Sequence, residues 1–515
     1  MPGRAFSTHV RQVPQHAAVD IDGPPLVMRV KRAAAIREGS EAIAQPARLS
    51  VIALTLAKHA PIFTVLCLPP ALWAALEREW PLAAALALPA VLAAAIYVAT
   101  SARPLPQDLR GVEAMLGVTI VFGLSVLLLV PAFMTLGMPP ADALFEAMSA
   151  ATTTGLSVAA DPGAWPVAGH VLRAWTQWCG GLVIATAVLA LLLPSGLPAR
   201  KLGQAGIDQG DRIASTRRQA QQLLGVYVGL TVVMGGLNAW ALPGWREGVL
   251  LTLTAVSTGG FAPRADSIAS YHPFAQGLVI LTCTLGAVSL LTFVLVLQGK
   301  WRDAWHLGSL RRVLVAVALF SAAYAALLAL NGVTAPDEIY RGLLNLVSGL
   351  TTTGFAAGPI PSPGPLLLLI VVAMAVGGDV GSTAGGLKLA RIGLLADAFR
   401  DAIRRPRLPS RAVAPLRNDG ETVDDRTLAG LLALLFVFLC VMLLVWMQLL
   451  AHGHPALPAL FETVSALSTV GMSTGIVGPD MAVDLKLSLT FAMWLGRLEF
   501  VAVLLLFTPR TWINR

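Results

Sequence analysis

Four short segments of nearly the same form recur along this chain, each between two apolar stretches of membrane-spanning length. Each places hydroxyl residues shortly before a glycine and an apolar residue directly after it. Aligned on Gly155, Gly260, Gly354 and Gly471, they are 152–156, 257–261, 351–355 and 468–472. Four such loops around one axis can replace the water shell of an alkali cation with backbone carbonyls. The pattern predicts a pseudo-fourfold cation pore made from one polypeptide.

The similarity extends into the residues that precede each loop. Six residues before the glycines stand small hydroxyl residues, namely Ser149, Thr254, Ser348 and Ser465. Nine residues before them stand Glu146, Leu251, Asn345 and Glu462. A repeat of about a hundred residues indicates that one structural unit was copied. Isolated Thr-Gly pairs also help membrane helices to pack, but four copies in one context favour the pore.

The composition is that of a membrane protein. Hydrophobic residues make up 56% of the chain, charged residues 13%, and the mean hydropathy is +0.71. Soluble domains carry about 25% charged residues. Because about 20 apolar residues cross a bilayer, we predict an all-α polytopic protein with about ten spans. They lie near 49–75, 82–100, 112–135, 166–195, 219–241, 273–298, 312–331, 364–399, 427–452 and 482–508.

These spans predict two leading helices followed by four units of helix, pore helix, loop and helix. The short stretch before each loop cannot span, so it is predicted to be a re-entrant pore helix. The predicted parts are a polar tail at 1–48, leading helices at 49–100, and pore repeats at 112–195, 219–298, 312–399 and 427–508. The third repeat contains a glycine-rich gating loop.

The distribution of basic residues predicts the orientation. With the N-terminus inside, the inner segments 1–48, 101–111, 196–218, 299–312 and 400–426 hold 25 lysine and arginine residues, against six in the outer segments. This bias agrees with the positive-inside rule, so the tail is predicted to be cytoplasmic and the loops to open outward. Nucleic acid is not an expected partner, because the basic residues are scattered through membrane loops.

The loops themselves are the predicted selectivity filter. Backbone carbonyls bind a dehydrated K⁺ without a fixed charge that would prevent release. Glycine permits the required dihedral angles, and the C-terminal ends of four pore helices favour a cation. The predicted filter residues are Thr153, Thr154, Gly155, Thr258, Gly259, Gly260, Thr352, Thr353, Gly354, Thr469, Val470 and Gly471. Glu146 and Glu462 either brace their helices or concentrate cations.

A glycine-rich stretch at 377–391 interrupts the eighth span. Glycine costs about 1 kcal/mol in a helix interior, and broken backbone at membrane depth requires protein or a water-filled cavity beside it. The stretch is therefore predicted to gate the pore below the filter, although a kinked helix with packing glycines would fit it too. The predicted gate residues are Gly377, Gly378, Asp379, Gly381, Ser382, Thr383, Gly385, Gly386, Lys388 and Arg497.

Two ionisable residues, Arg497 and Glu499, fall inside the last predicted span. Residues of this type at membrane depth are functional candidates. Arg497 is predicted to act as an electrostatic barrier, or to tether the glycine-rich stretch through carbonyls or Asp379. A structural pair that locks two helices is the alternative, and it is compatible with both roles.

Together these motifs resemble the superfamily of K⁺ transporters that includes TrkH, KtrB and the plant HKT proteins. The specific motifs are the four loops, 175–181 (WTQWCGG), the 377–391 stretch and 496–499 (GRLE). The two leading helices resemble TrkH rather than KtrB. The resemblance implies a K⁺-selective homodimer in a bacterial-type inner membrane. It also implies an intramembrane gating loop and a cytosolic TrkA-like ring that binds NAD(H), ATP or ADP. No cofactor is expected in this chain, and K⁺ is the substrate.

Several functions remain open at this point. The first is passive, gated K⁺ uptake, and the second is symport coupled to H⁺ or Na⁺. The loops supply no carboxylate for coupling, whereas Asp379 and Glu499 keep symport open. A scaffold or sensor that no longer conducts would be expected to lack a loop glycine. The chain is predicted not to be an enzyme, because no nucleophile, base or metal cluster stands out.

Overall fold

The computed structural model describes residues 46–104, 109–192, 212–407, 409, 416–418 and 421–513. Nearly all of its regular structure is helical, which confirms the all-α prediction. The described exception is an antiparallel pair of two-residue strands, Arg417–Asn418 (β1) and Glu421–Thr422 (β2). The predicted tail falls outside the described residues from 1 to 45, as do parts of the inner segments 196–218 and 400–426.

Three helices come first in the described chain. They are Leu49–Lys58 (α1), Pro61–Leu76 (α2) and Trp80–Thr100 (α3). The first predicted span is thus two helices, with a turn at His59 and Ala60. Pro61 follows this turn, because a proline lacks the N–H for the helical ladder but is tolerated at a helix start. All membrane helices belong to one compact unit, Arg48–Thr508. In the other unit, the Ala47 N–H donates to the Thr511 carbonyl (2.8 Å).

The four repeated units follow in order. The first contains Gly111–Thr135 (α4), Pro140–Ala151 (α5) and Val167–Leu192 (α6). The second contains Arg212–Ala241 (α7), Trp245–Val256 (α8), Pro273–Gly286 (α9) and Leu290–Leu297 (α10). A short helix, Trp301–His306 (α11), precedes the third, which contains Ser309–Leu330 (α12), Pro336–Leu350 (α13), Pro365–Val376 (α14) and Leu389–Arg404 (α15). The fourth contains Asp425–Ala451 (α16), Ala456–Leu467 (α17), Val483–Arg497 (α18) and Val501–Phe507 (α19).

The short helix before each loop cannot cross a bilayer. Helices α5, α8 and α17 have 12 residues and α13 has 15. At about 1.5 Å per residue they reach about 18–23 Å, against a hydrocarbon core of about 30 Å. They are buried inside the protein, where Phe145 of α5 and Phe461 of α17 have no exposed surface.

The second long helix of a repeat is broken in three of the four units. Only the eighth predicted span was expected to be interrupted, yet the sixth bends by 89° between α9 and α10 and the tenth by 120° between α18 and α19. In the described chain, six helices are long and apolar enough to span a membrane when α1 and α2 count as one, or up to eight when each bent pair also counts as one span. At the second bend Glu499 and Phe500 have positive φ values of 56° and 63°, which a continuous helix excludes.

Candidate functional site

The four loops leave their helices in the same way. We number them loop one (152–156), loop two (257–261), loop three (351–355) and loop four (468–472). Each pore helix ends four residues before its glycine: Ala151 before Gly155, Val256 before Gly260, Leu350 before Gly354 and Leu467 before Gly471. The negative ends of four helix dipoles therefore meet the four loops.

Equivalent hydrogen bonds fold each loop back onto its own helix. The backbone N–H of the residue before the glycine donates to the carbonyl of the hydroxyl residue six positions before the glycine. The four bonds are Thr154 to Ser149 (2.9 Å), Gly259 to Thr254 (2.7 Å), Thr353 to Ser348 (3.0 Å) and Val470 to Ser465 (2.8 Å). The hydroxyl residues six positions before the glycines therefore occupy equivalent positions in the four repeats.

Their backbone dihedrals also repeat. The glycines have φ values of 91°, 75°, 84° and 96°, and the threonines two positions earlier have φ values of 51–53°. Those threonines are Thr153, Thr258, Thr352 and Thr469. A positive φ is a strained conformation for a β-branched residue and marks a site that its surroundings enforce. The residue between each threonine and glycine has no positive φ. Alternating backbone handedness of this kind turns successive N–H groups to one side and so leaves the carbonyls on the other.

The loops form a closed ring. A Cβ added to any of the four glycines would overlap a carbonyl oxygen of the next loop. Gly155 meets Gly259, Gly260 meets Thr353, Gly354 meets Val470 and Gly471 meets Thr154. The order one, two, three, four, one closes without a gap. A backbone without side chains is required at this ring, since only glycine allows so close an approach.

In three repeats, the polar side chain nine positions before the loop glycine accepts a hydrogen bond from the backbone that follows the loop. Glu146 accepts from the Val158 N–H (3.3 Å), and Asn345 accepts from the Ala357 N–H (2.7 Å). Glu462 accepts from the Thr474 N–H (2.6 Å). Each donor is three residues after its glycine.

The second repeat lacks both partners of this bond. It has Leu251 as the acceptor position and Pro263, which has no N–H, as the donor position. Glu146 also binds Arg173, whose Nε lies 2.8 Å from it. These contacts match the bracing role considered for the two glutamates.

The glycine-rich segment (377–388) lies against three of the four loops. Its contact with loop two is the Thr258 hydroxyl, which donates to Thr383 Oγ1 (3.4 Å). Thr383 Oγ1 donates to the carbonyls of Val256 (2.9 Å) and Gly286 (3.0 Å). The Gly385 N–H donates to Thr352 Oγ1 (2.7 Å), and a Cβ at Gly385 would overlap the Ser468 carbonyl.

The same segment fills the break between α9 and α10. The Asp379 N–H donates to the Ala287 carbonyl (3.1 Å), and the Gly381 carbonyl accepts from the Leu290 N–H (3.0 Å). These bonds satisfy backbone groups that the broken helix leaves free, which explains why the sixth span bends.

The backbone of the segment uses its glycines. Gly377, Gly381 and Gly386 have φ values of 73°, 79° and 73°, and Lys388 has 76°. At Gly378 an added Cβ would lie 3.1 Å from the Ala287 carbonyl oxygen. Ser382 Oγ donates to the Asp379 carbonyl (2.6 Å), and Lys388 Nζ donates to the Ala384 carbonyl. A continuous kinked helix, the alternative considered above, is not what the structure contains, because the chain from Gly377 to Lys388 is not helical.

Charged side chains fasten this segment to its neighbours. Arg497 Nη1 donates to the Thr383 carbonyl (2.8 Å). Among the residues that the structure describes, its Nε and Nη2 have no hydrogen-bond partner. Asp379 pairs with Arg312 (2.9 Å) and not with Arg497, so Arg497 reaches the segment through a carbonyl. Glu499 pairs with Arg391 (2.7 Å).

Three further glycines let later helices pack closely against the ends of the pore helices. Gly180 and Gly496 lie in the 175–181 and 496–499 motifs, but the sequence predicted no role for them or for Gly286. Cβ atoms on Gly180, Gly286 and Gly496 would meet the last carbonyl of a pore helix, at Ala151, Val256 and Leu467 respectively. Their spacing was the available signal: each follows a loop glycine by 25 or 26 residues (155 to 180, 260 to 286, 471 to 496). Gln177, in the 175–181 motif, was also missed as a contact of loop two.

Comparison with known proteins places this arrangement in a family. A family model described as TrkH, cation transport protein, matches residues 119–299 and 305–513. An uncharacterized cation transporter of Methanocaldococcus jannaschii is 28% identical over 378 residues, which is 71% of this chain and 75% of that protein. The Trk system potassium uptake protein TrkH of Escherichia coli K12 is 29% identical over 402 residues, covering 72% and 79%.

A solved structure shares the fold. The crystal structure of the potassium transporter TrkH from Vibrio parahaemolyticus superposes with a TM-score of 0.78 at 22% identity, covering 91% of this chain and 100% of that one. The matched family consists of transporters, which confirms that the chain is not an enzyme. With several membrane-length apolar helices, it is a multi-pass membrane protein. The chain belongs to the TrkH family of cation transport proteins.

Proposed function

We propose that this chain is a gated K⁺ uptake pathway whose selectivity filter is the ring of four loops. The observation that carries the proposal is the closed sequence of glycine-to-carbonyl approaches around the ring. Relatives with the printed name potassium uptake protein favour K⁺ as the cation. K⁺ is the substrate here, bound by backbone carbonyls.

The electrostatics of the ring favour a monovalent cation. Four pore helices direct C-terminal ends, each worth about half a negative charge, at the loops. The predicted filter positions contain hydroxyl, glycine and valine residues but no carboxylate. A cation is thus attracted by dipoles that are strong enough for entry and weak enough for release.

The glycine-rich segment and Arg497 form the proposed gate. The segment bonds to loop three through Thr352 and to the end of the second pore helix through Val256. Arg497 is buried, with 4% of its surface exposed. A guanidinium cation beside the pathway would repel K⁺, so its position against Thr383 supports a barrier role. Lys388, within the segment, is a second buried cation at the proposed gate.

Passive flow is favoured over symport. The two carboxylates that kept symport open are both ion-paired, Asp379 with Arg312 and Glu499 with Arg391. A proton carrier must exchange its proton during transport, which ion pairing opposes.

The remaining parts of the proposal rest on the resemblance and on the charge bias of the sequence. They are a homodimer in a bacterial-type inner membrane, a cytoplasmic N-terminus, and regulation by a cytosolic TrkA-like ring that binds NAD(H), ATP or ADP.

The proposal is tested by K⁺-driven flux in proteoliposomes, with Na⁺ and Rb⁺ as competitors. Gly155→Ser adds a side chain that overlaps the Gly259 carbonyl, so K⁺ selectivity should fall. Gly137→Ser is the matched control, because Gly137 has nearly the same φ (89° against 91°) but nothing within 4 Å of its added Cβ. Wild-type flux without preference for K⁺, or equal effects of the two serines, would refute the filter.

A further inference from the structure

The side chain of Gln177 in α6 makes two hydrogen bonds to the backbone of loop two. This residue is fully buried. Its Nε2 donates to the Gly259 carbonyl (2.6 Å), and its Oε1 accepts from the Phe261 N–H (3.2 Å). The two bonded residues flank Gly260, so one side-chain amide bridges the filter glycine of loop two.

The contact with Gln177 explains why the residue before the filter glycine is different in loop two. Loops one, three and four have Thr154, Thr353 and Val470 at this position, whereas loop two has Gly259. A Cβ at Gly259 would overlap the amide carbon of Gln177. Glycine and amide are therefore complementary: the missing side chain of loop two leaves the space that Gln177 occupies.

The equivalent helix positions in the second and fourth repeats carry no amide. Gln177 stands three residues before Gly180, one of the glycines that pack against the ends of the pore helices. Three residues before the equivalent glycines Gly286 and Gly496 stand Cys283 and Met493. Cys283 lies beside Thr353 of loop three. A small thiol beside a threonine thus replaces a long amide beside a glycine.

We propose that Gln177 is a positioning residue for ion selectivity, fixing the carbonyl of Gly259 through its two-point contact with loop two. This inference rests on the proposed function. Loop two has two successive glycines, so its backbone has the most freedom to rotate. Without the amide, the Gly259 carbonyl loses its donor and the Phe261 N–H is left without its acceptor, and both groups are buried. Unpaired buried groups drive local rearrangement, here at the ring itself.

The first test is Gln177→Leu, which keeps the bulk of the side chain and removes the amide. We expect the K⁺/Na⁺ flux ratio to fall about tenfold, the factor that one or two lost buried hydrogen bonds correspond to. The matched control is Gln276→Leu in α9. Gln276 is also buried, and its amide donates to the carbonyls of Ile268, Ala269 and Tyr271, away from the ring. Q276L should leave the ratio unchanged. A folded Q177L protein with the wild-type ratio would overturn the proposal.

The second test uses the steric fit between Gly259 and the Gln177 amide. It tests the role of Gln177 even if the Q177L protein does not fold. Gly259→Ala alone should abolish selective K⁺ flux, because its Cβ overlaps the amide. In the double variant Gln177→Ala with Gly259→Ala the overlap is gone, and loop two carries a Cβ as the other three loops do. Flux should recover relative to G259A. Losses that add instead of cancelling would show that the two residues act independently and would overturn the proposal.

The two hypotheses fail separately. A wild-type protein without K⁺ preference contradicts the filter. A selective wild type that responds to G155S but not to Q177L contradicts only the role of Gln177.

Discussion

At the scale of single residues, Arg497 is a buried cation with 4% of its surface exposed. It lies in a bent helix pair of membrane-spanning length and donates one hydrogen bond to the glycine-rich segment. No other hydrogen-bond partner of its guanidinium is found in the described part of the chain. A buried cation with unmet donors is costly unless its charge has a use. The proposed use is to block K⁺ flow while the gate is closed.

Arg497→Ala should therefore raise basal K⁺ flux. The substitution removes both the positive charge and the bond to Thr383, whereas Arg497→Lys keeps the charge. Rb⁺ uptake into proteoliposomes without a partner protein measures the effect, and the expected order is alanine above lysine above wild type. Flux that is unchanged or lower in R497A would contradict the barrier.

At the scale of elements, the glycine-rich segment depends on its neighbours for shape. Its backbone forms hydrogen bonds with residues at the break between α9 and α10. Its Asp379 forms an ion pair with Arg312 of α12. Arg312 also donates to the Leu307 carbonyl (3.2 Å), at the end of α11. A displacement of α11 or α12 would therefore reach the proposed gate through one ion pair.

Removal of that pair should loosen the gate. Asp379 has no exposed surface, and a buried carboxylate that loses its partner costs about 3–5 kcal/mol. We expect Arg312→Ala to raise basal Rb⁺ flux several-fold. Arg311→Ala is the control, since it removes the same charge from the adjacent, exposed position. Equal flux in the two variants would show that the pair does not restrain the segment.

The sequence predicted different parts of this architecture with different success. Four copies of one pattern located the loops that the structure brings into a ring, because each copy carries its own local signals. The bends at α9–α10 and α18–α19 had no such signal. The first is stabilised by hydrogen bonds from a segment about 90 residues away (Leu290 to Gly381). The second uses positive φ at Glu499 and Phe500, residues that do not ordinarily mark a break.

At the scale of the whole molecule, a buried ion pair joins the first and last repeats, whose loops are neighbours in the ring. Lys486 of α18 donates to Asp142 of α5 (2.6 Å) and to the Pro479 carbonyl (2.7 Å). Both side chains are at least nine-tenths buried. The pair therefore links the pore helix of repeat one to a helix of repeat four.

Loss of one partner should destabilise the protein more than loss of both. Lys486→Met leaves Asp142 buried without its cation, at a cost of about 3–5 kcal/mol, whereas replacing both charges with apolar residues is often nearly neutral. The melting temperature of K486M in detergent should fall clearly, and adding Asp142→Leu should restore much of it. A double variant that melts below K486M would contradict this account.

The ring of glycine contacts also has a direction. Each loop glycine approaches the carbonyl of the following loop, and the nearest atoms to its added Cβ do not belong to the preceding loop. A side chain added at one glycine therefore crowds the following loop and not the preceding one. Gly471→Ser crowds loop one, and Gly155→Ser crowds loop two. The four quarters, though copies in sequence, are unequal recipients. Loop two is bonded to Gln177. Serine at Gly155, which crowds loop two, should therefore change the K⁺/Na⁺ flux ratio differently from serine at Gly260, Gly354 or Gly471.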